Sequence, residues 1–246
     1  MKKRVLIFGA TGTVGAGALL ECLDHPEIGE VLCIVRRPTG RSHPKLREII
    51  HRDFLDFATI ASDMHDIDGC FWAVGTPSSG ADEQAYIRVE HDYVAAAARA
   101  LHKQSPQCCF VFGSGAGADE TETSRQLWAR VKGRAENAVL GMGFKQALIF
   151  RPGTIAPRRG IKHNVPVYGL AAWLAPLMRP FGMATSTEEI GRAFIAAVLG
   201  KGPEQPARSA SAQPKSTPWP NWPDKTRSRI TKEKHYGYPR KQGPCE

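Results

Sequence analysis

The chain has 246 residues, 42% of them hydrophobic, which suits one α/β domain with or without an extension. Its net charge of +9 would fit a nucleic-acid-binding protein, but the charge is unevenly distributed. Residues 201–246 hold ten Lys/Arg and four Asp/Glu, whereas the first 200 residues hold 23 basic and 20 acidic side chains. This argues against nucleic acid as a ligand of the folded part. The longest apolar stretch, residues 165–178, is too short and too interrupted by Pro and Gly to span a membrane.

Short apolar runs alternate with helical patterns through the first 150 residues. Each run is apolar, and most end in Gly or a polar residue, which is typical of strands buried on both faces of a parallel sheet. The predicted strands are 4–9, 30–35, 47–53, 69–75, 108–114 and 146–153. The clearest predicted helix spans 83–102, where Val94, Ala97 and Leu101 share one face. The alternation predicts the α/β fold class, with a doubly wound parallel sheet.

The C-terminal third departs from this alternation. Residues 154–187 are rich in Pro, Gly, Trp and Met, and we expect a small elaboration over the ligand edge of the sheet. A last helix follows, capped by Ser186 and with Glu188 and Glu189 in its first turn. We predict one domain over residues 1–202. Residues 203–246 are predicted to be a disordered, basic, Pro-rich tail, either functionless or a peptide or nucleic-acid ligand of a partner.

The six cysteines show no metal-ligand spacing. Cys108 and Cys109 are adjacent in a predicted strand, so their side chains should point to opposite faces. The N-terminal "MKKR" is followed by only "VLIF" before a glycine loop, which is too short for a secretory signal peptide. We therefore expect reduced core thiols, no metal site and a cytoplasmic protein.

The stretch "VLIFGATGTVGAGAL" places Gly9, Gly12 and Gly15 between a strand and a helix. The first glycine allows a tight turn, the second admits a pyrophosphate to the backbone, and the third lets helix and strand pack closely. The helix N-terminus then faces the phosphates. This predicts an NAD(P)-binding Rossmann fold, with cofactor contacts from Gly9, Thr11, Gly12, Thr13, Val14 and Gly15.

Two arginines, Arg36 and Arg37, follow the second strand where an NAD-binding protein would offer a carboxylate to the ribose hydroxyls. A guanidinium pairs with a phosphate through two hydrogen bonds, so the position favours NADP(H) over NAD(H). The alternative is that both arginines are simply solvated surface residues.

The segments "GATGTVG", "VEHDYVAAAA", "GSGAGAD", "WARVKGRAEN" and "FRPG", in that order, resemble the short-chain dehydrogenase/reductase superfamily over about residues 1–200. The likeness is greatest to its atypical NmrA-like and Tat-interacting-protein-like branch. The resemblance implies that Asp53 contacts the adenine amino group. Further cofactor contacts are then expected from Phe54, Ala73, Gly75, Pro152 and Ile155.

The resemblance also assigns catalytic positions. The superfamily uses a Ser that orients the substrate carbonyl, a Tyr that transfers the proton, and a Lys that binds the nicotinamide ribose and lowers the Tyr pKa. Ser114 and Lys132 match the first and last of these, but the Tyr position holds Trp128. An indole N–H donates a hydrogen bond but does not titrate in this range, so residue 128 cannot transfer the proton.

Three interpretations stay open. The chain could be an oxidoreductase acting on a small carbonyl or hydroxyl substrate, with water or another side chain as the acid. It could instead bind NADP(H) without turnover, as a redox-responsive regulator or scaffold. Thirdly, Trp128 could form a wall of the substrate pocket for a reaction that needs little acid catalysis. The sequence leaves a homodimer and a protein partner open as well. The alternative acids are Tyr86, His91, Tyr93 and Tyr168.

Overall fold

The computed structural model describes residues 1–80, 82–156, 161, 184–202 and 207–209. The strands are β1 (Lys3–Phe8), β2 (Ile28–Val35), β3 (Leu46–Ile50), β4 (Gly69–Trp72), β5 (Cys109–Gly113), β6 (Gln146–Phe150), β7 (Thr154–Ala156), β8 (Ala184–Ser186) and β9 (Ala207–Ser209). The helices are α1 (Thr13–Asp24), α2 (Glu83–Ile87), α3 (Tyr93–Gln104), α4 (Leu127–Leu140) and α5 (Thr187–Val198). A π-helical turn (Arg88–Asp92) joins α2 to α3, and a 3₁₀ helix (Ala58–Met64) precedes β4.

The main sheet is parallel, with the strand order β3-β2-β1-β4-β5-β6-β9 over the described residues. β1 lies between β2 and β4, so that Val5 is paired with Val31 on one side and with Gly69 on the other. The strand order reverses at this point, and ligands of open α/β sheets bind outside the carboxyl ends of the strands there. The predicted doubly wound parallel sheet is confirmed, and the six predicted strands overlap β1 to β6.

Each face of the sheet has its own hydrophobic cluster, because successive residues of a strand point to opposite faces. In β1, Leu6 and Phe8 join a cluster with α3 and α4, whereas Val5 and Ile7 join one with α1 and α5. Full burial of one such side chain stabilises the fold by about 1.5–3 kcal/mol. Burial on both faces explains why the strands are almost continuously apolar in sequence.

Helix α5 packs closely on α1 and starts with a capping box. A Cβ atom on Gly17 would lie 2.3 Å from the Cβ of Thr187, so glycine is needed for this approach. The Ser186 Oγ accepts a hydrogen bond from the Glu189 amide at 3.2 Å, and the Glu189 carboxylate accepts one from the Ser186 amide at 2.8 Å. The predicted cap of this helix is thus confirmed.

The C-terminal predictions fall partly outside the described residues. In the predicted elaboration, β7 pairs with β8, and residues 157–160 and 162–183 are not described. In the predicted tail, β9 extends the sheet beside β6, so these three residues depart from the predicted disorder. The physical reason is that an edge strand leaves backbone N–H and C=O groups unpaired, and a short strand satisfies them. Residues 203–206 and 210–246 are likewise outside the described part. No helix among the described residues is long and apolar enough to cross a membrane.

Five free cysteines lie buried in the two clusters: Cys22, Cys33, Cys70, Cys108 and Cys109. Cys108 and Cys109 point into opposite clusters, as predicted. Burial raises the pKa of the Cys109 thiol to about 12, and raises the pKa values of Cys70 and Cys108 well above the ordinary range. The reactive thiolate form is therefore suppressed at neutral pH.

This burial leads to a direct prediction for native thiol chemistry. In a Cys245→Ser variant, which removes the one cysteine outside the described residues, Ellman's reagent should label no thiol of the native protein at pH 8. Five thiols should react once the protein is unfolded in urea. Rapid labelling of the native variant would show that one of these strands opens readily to solvent.

Candidate functional site

The glycine loop between β1 and α1 can exist only with glycine at two of its positions. Gly9 has a φ of +77°, and a Cβ atom there would lie 2.4 Å from the carbonyl oxygen of Ala73. A Cβ atom on Gly15 would lie 2.2 Å from the carbonyl oxygen of Gly9. Between them, the Gly12 amide donates to the Gly9 carbonyl at 2.9 Å. The loop is therefore packed against the β4 end at the switch point of the sheet.

Helix α1 begins at this loop without a capping side chain. Its N-cap is Gly12, which offers no side-chain oxygen, and its first turn contains no acidic residue. The amides at the helix start and the positive end of its dipole are thus left for an external anion. Thr11 is exposed, and Thr13 and Val14 are half-buried, at the same place. A crowded glycine turn followed by an uncapped helix fits the pyrophosphate of a dinucleotide.

The predicted adenosine side of the site gathers where β2 and β3 end. Arg36 and Arg37 follow β2 directly and are exposed. Because Val35 is paired with Ile50, the residues after β3 reach the same edge, and the exposed Asp53 is among them. The Asp53 carboxylate accepts a hydrogen bond from the Leu55 amide at 3.0 Å. The adenine contact of Asp53 and the phosphate contacts of the arginines stay predictions.

Phe54 does not line this edge with its side chain. It is 4% exposed, and its ring packs against those of Phe8, Phe57 and Trp72 with centroid separations of 6.1, 5.8 and 6.3 Å. The Phe54 ring is therefore part of the core, and the predicted cofactor contact of Phe54 stays a prediction. The motif position indicated the strand end, but the direction of the ring is decided by the aromatic cluster.

The segment after β4 borders the glycine loop on one side and a buried carboxylate on the other. The Ala73 carbonyl approaches Gly9, as described above. A Cβ atom on Gly75 would lie 3.2 Å from Oε1 of Glu90, and the Thr76 amide donates to the same oxygen at 2.5 Å. Glu90 lies in the π-helical turn and is 1% exposed. The predicted cofactor residues Ala73 and Gly75 are thus at the same edge as the glycine loop.

Lys132 reaches the carboxyl end of β5 from α4. Its Nζ lies 2.6 Å from Oε2 of Glu90 and 3.5 Å from the carbonyl oxygen of Gly113, and 5.2 Å above the Phe112 ring. The Lys132 side chain is 14% exposed. The Glu90 contact is an ion pair without hydrogen-bond geometry, and among the described residues the Gly113 carbonyl accepts one of the three ammonium N–H groups.

Ser114 lies at the end of β5, but its hydroxyl is directed away from the role that the resemblance implies. The Ser114 hydroxyl donates to Oε1 of Glu136 at 2.6 Å. Glu136 is fully buried and forms a two-point ion pair with Arg151, at 2.9 Å from Nε and 2.5 Å from Nη2. This contact is the main reason that the pKa of Arg151 is raised. The hydroxyl proton is therefore engaged by the buried ion pair, and the substrate contact of Ser114 stays a prediction.

Trp128 covers the glycine-rich loop that follows Ser114. A Cβ atom on Gly117 would lie 3.0 Å from Cη2 of the indole, and Gly117 has a φ of +95°. The indole Nε1 donates to Oε1 of Gln126 at 2.9 Å. The half-buried ring therefore lies against the Gly115 and Gly117 backbone, and its role as a wall of the substrate pocket stays a prediction.

The loop between β5 and α4 is fixed by backbone contacts. A Cβ atom on Gly133 would lie 1.6 Å from the Asp119 carbonyl oxygen, so the helix and loop backbones touch there. Hydrogen bonds from Thr121 and from the Ser124 amide lower the pKa of the half-buried Asp119 carboxyl. Asp119 stays ionised and holds its turn closed at neutral pH.

The loop after β6 is fastened to the loop after β5. The Ala116 amide donates to the Pro152 carbonyl at 3.1 Å, and the Ser114 amide donates to the Phe150 carbonyl at 2.8 Å. Ile155 lies in β7, opposite Thr185 of β8, and is half-buried. Pro152 therefore lies beside the Ser114 loop, while its cofactor contact and that of Ile155 stay predictions.

The alternative acids occupy different environments. Tyr86 is 3% exposed, and its pKa is raised by burial and by the nearby Glu90 charge. Tyr93 packs on Phe54 at a centroid distance of 5.7 Å, and His91 Nδ1 lies 2.8 Å from the Asp92 carboxylate. Tyr168 is outside the described residues. Among the described residues, no group of three or more His, Cys, Asp or Glu could hold a metal ion.

Sequence reasoning missed the two buried carboxylates of the site. Glu136 follows Lys132 by four residues, as Lys132 follows Trp128, so the three share one face of α4. Glu90 lies on the buried face of its helix, next to the predicted apolar positions. A charged residue on a face that is otherwise apolar was the signal for both, since such a residue needs a buried partner.

Many solved protein structures share this fold. The Bordetella bronchiseptica enzyme WbmF in complex with NAD+ matches with a TM-score of 0.62 at 15% identity, over 84% of this chain and 72% of that one. A short chain dehydrogenase family protein from Francisella tularensis matches with a TM-score of 0.62 at 12% identity, over 85% and 96%. The Thermotoga maritima UDP-glucose 4-epimerase with UDP-glucose matches with a TM-score of 0.63 at 13% identity, over 85% and 77%. The sheet, the glycine loop and these matches define a Rossmann-type α/β fold.

Sequence relatives narrow this class to one family. "Protein fmp52, mitochondrial" of Emericella nidulans is 30% identical over 208 residues, which are 79% of this chain and 87% of that protein. "Protein FMP52, mitochondrial" of Saccharomyces cerevisiae is 26% identical over 201 residues, or 77% and 85% of the two chains. The chain belongs to the Fmp52 family. No protein-family model matches it.

The predicted cytoplasmic location is wrong in the light of these relatives, because their names call them mitochondrial proteins. The prediction relied on buried thiols and on a short apolar N-terminal run. Buried thiols show only that the cysteines are shielded, and they do not distinguish one compartment from another.

Proposed function

We propose that this chain is an NADP(H)-dependent oxidoreductase acting on a small carbonyl or hydroxyl compound. The observation that carries the proposal is the crowded Gly9–Gly15 turn at the uncapped start of α1. Arg36 and Arg37 at the same sheet edge support the phosphorylated cofactor. The NAD+ complex of WbmF supports dinucleotide binding, and the names of the relatives support a mitochondrial location.

Acid catalysis in this proposal depends on Lys132 rather than on residue 128. A bound NADPH would supply hydride to the carbonyl carbon. The carbonyl oxygen then needs a proton, which the Trp128 indole cannot give, and the Ser114 proton is held by Glu136. The Lys132 ammonium, 14% exposed, would donate a proton to the oxygen and regain one from solvent. Because the phenol that normally transfers the proton is missing from position 128, we expect slow turnover.

A second candidate function is NADP(H) sensing without turnover. The contact that favours it is the Ser114 hydroxyl bond to Glu136, since that bond removes the carbonyl-orienting donor. The two functions separate in one experiment: fluorescence titration with NADPH and NADH, followed by NADPH oxidation over a panel of small carbonyl compounds. Binding with slow turnover supports the oxidoreductase, and binding without turnover supports the sensor. If the protein neither binds NADPH nor oxidises it, both candidate functions are excluded.

The cofactor preference gives a specific prediction. Replacing Arg36 and Arg37 together by Glu should weaken NADPH binding by at least about tenfold and leave NADH binding unchanged. The reason is the loss of a charge-assisted phosphate contact of about 1.5–3 kcal/mol. Arg99→Glu with Arg134→Glu is the matched control, because both arginines are exposed on helices and the charge change is equal. Equal affinity of the unaltered protein for NADPH and NADH would contradict the assignment.

A further inference from the structure

We propose that the Ser114 hydroxyl accepts a hydrogen bond from the substrate, so that the site selects an alcohol over the matching carbonyl compound. The inference rests on the proposed function, because it decides between the two substrate classes named there. It follows from the contacts of Ser114, Glu136 and Arg151. It also departs from the resemblance, which implies that Ser114 donates to a substrate carbonyl.

The Ser114 hydroxyl has a single proton, and a carboxylate already binds it. Oγ donates to Oε1 of Glu136 at 2.6 Å. A hydroxyl carries one O–H donor and two acceptor lone pairs, so any further partner of Oγ meets a lone pair while this bond holds. A carbonyl oxygen also offers only lone pairs and cannot bond to another acceptor. A substrate hydroxyl brings its own proton and can donate it to Oγ.

The Glu136 carboxylate competes strongly for this proton. It is fully buried, and Arg151 donates to both of its oxygens, from Nε to Oε1 at 2.9 Å and from Nη2 to Oε2 at 2.5 Å. A hydrogen bond to a charged acceptor is about twice as strong as one to a neutral acceptor. Water cannot readily replace a donor that a buried carboxylate loses. Turning the Ser114 proton towards a neutral carbonyl would therefore exchange a stronger bond for a weaker one.

The surroundings of Ser114 fit an alcohol better than a ketone. Its amide donates to the Phe150 carbonyl at 2.8 Å, which fixes the backbone at the end of β5, and the residue is half-buried. Lys132 Nζ lies 3.5 Å from the carbonyl oxygen of the preceding residue, Gly113. An acceptor and a cation thus lie at the same strand end. One hydroxyl group can accept from a cation and donate to Oγ, whereas a carbonyl can only accept.

Oxidation of such an alcohol is balanced with the proposed cofactor. The hydrogen on the carbinol carbon leaves with its electron pair, as a hydride, for bound NADP+. The O–H bond breaks as the carbon–oxygen double bond forms, and the proton is released to solvent. The carbonyl product has no proton to donate to Ser114, so its release is favoured over that of the alcohol.

The test compares binding of matched alcohols and ketones, isopropanol with acetone and cyclohexanol with cyclohexanone. The full chain is saturated with tetrahydro-NADP, a cofactor analogue that transfers no hydride, and binding is followed by ligand-observed NMR. Each alcohol should bind about three- to tenfold more tightly than its ketone, the worth of one hydrogen bond. Ser114→Ala should weaken the alcohols to the level of the ketones and leave the ketones unchanged.

A second variant releases the Ser114 proton. Glu136→Met with Arg151→Met removes the acceptor that holds it, so Oγ can donate to a carbonyl. The ketones should then bind about three- to tenfold more tightly than to the unaltered protein, and the preference for alcohols should disappear. Ser62→Ala is the matched control and should change neither affinity, because Ser62 is exposed on the 3₁₀ helix before β4.

The outcomes separate this inference from the proposed function. If the unaltered protein binds the cofactor analogue but binds ketones as tightly as alcohols, or binds no alcohol, the inference is overturned and the proposed cofactor site stands. Equal weakening of both ligand classes by Ser114→Ala also overturns it. If the Met pair does not fold, Ser114→Ala decides the question alone. If the unaltered protein binds neither the analogue nor NADPH, the proposed function fails, and the inference fails with it.

Discussion

Trp128→Tyr is expected to reduce small carbonyl compounds with NADPH about ten- to a thousandfold faster than the unaltered protein, since a general acid typically contributes about a hundred- to ten-thousandfold and Lys132 already supplies part of this. Residue 128 precedes Lys132 by four positions on α4, so a phenol there lies on the same helix face as the ammonium. The positive charge stabilises a phenolate, which lowers the phenol pKa towards neutral pH. Because Tyr is smaller than Trp, it fits over Gly117 with a small cavity at most.

The control for this variant is Trp128→Phe, which makes the same change of size without a titratable proton. Trp128→Phe should leave the rate unchanged. Both variants lose the hydrogen bond from the indole to Gln126, so this loss does not distinguish them. Rates are measured as NADPH oxidation under single-turnover conditions, so that product release does not mask the proton step. An unaltered protein that turns over at an ordinary rate, and is not accelerated by the Tyr variant, would move the acid to Tyr86, Tyr93 or Tyr168.

The fold could be predicted from the sequence because each strand and turn is determined by residues within that element. Strands buried on both faces must be short apolar runs, and the turn at Gly9 and Gly15 must be glycine because a side chain would meet the backbone. The β9 strand could not be predicted from the sequence. Ala207–Ser209 has no apolar periodicity, and its pairing depends on the free edge of β6.

The sequence predicted only some of the residues of the candidate site. Motif spacing placed Ser114, Trp128 and Lys132 together at one sheet edge, as the structure shows. It did not predict which partners hold them, because Glu90 comes from the helix after β4 and Arg151 from the loop after β6. A pair of charges separated by 15 to 42 residues is a property of the packed fold, and the local pattern around each member does not specify it.

The buried ion pair behind Ser114 gives the second large expected effect. Glu136→Gln should lower the free energy of unfolding by about 3 kcal/mol, because removing one partner of a buried pair leaves the other charge uncompensated. Glu136 is fully buried and the Arg151 side chain is 13% exposed, so water can replace little of the lost contact. Glu120, 3.5 Å from Arg151 Nη2, keeps the loss at the lower end of the range for such pairs. Urea unfolding followed by circular dichroism measures the change.

Two further variants identify the cause of this loss. Glu136→Met combined with Arg151→Met removes both charges and should recover most of the stability, since well-packed apolar side chains replace buried ion pairs at little cost. Glu30→Gln makes the same chemical change in the pair with Arg4, where Glu30 is 37% exposed, and should cost less than about 1 kcal/mol. If the Met pair is as unstable as Glu136→Gln, then packing around residue 136, including the Ser114 contact, outweighs the charge interaction. In that case Ser114→Ala should destabilise the protein as well, because the hydroxyl would be a structural group and not a donor to the substrate.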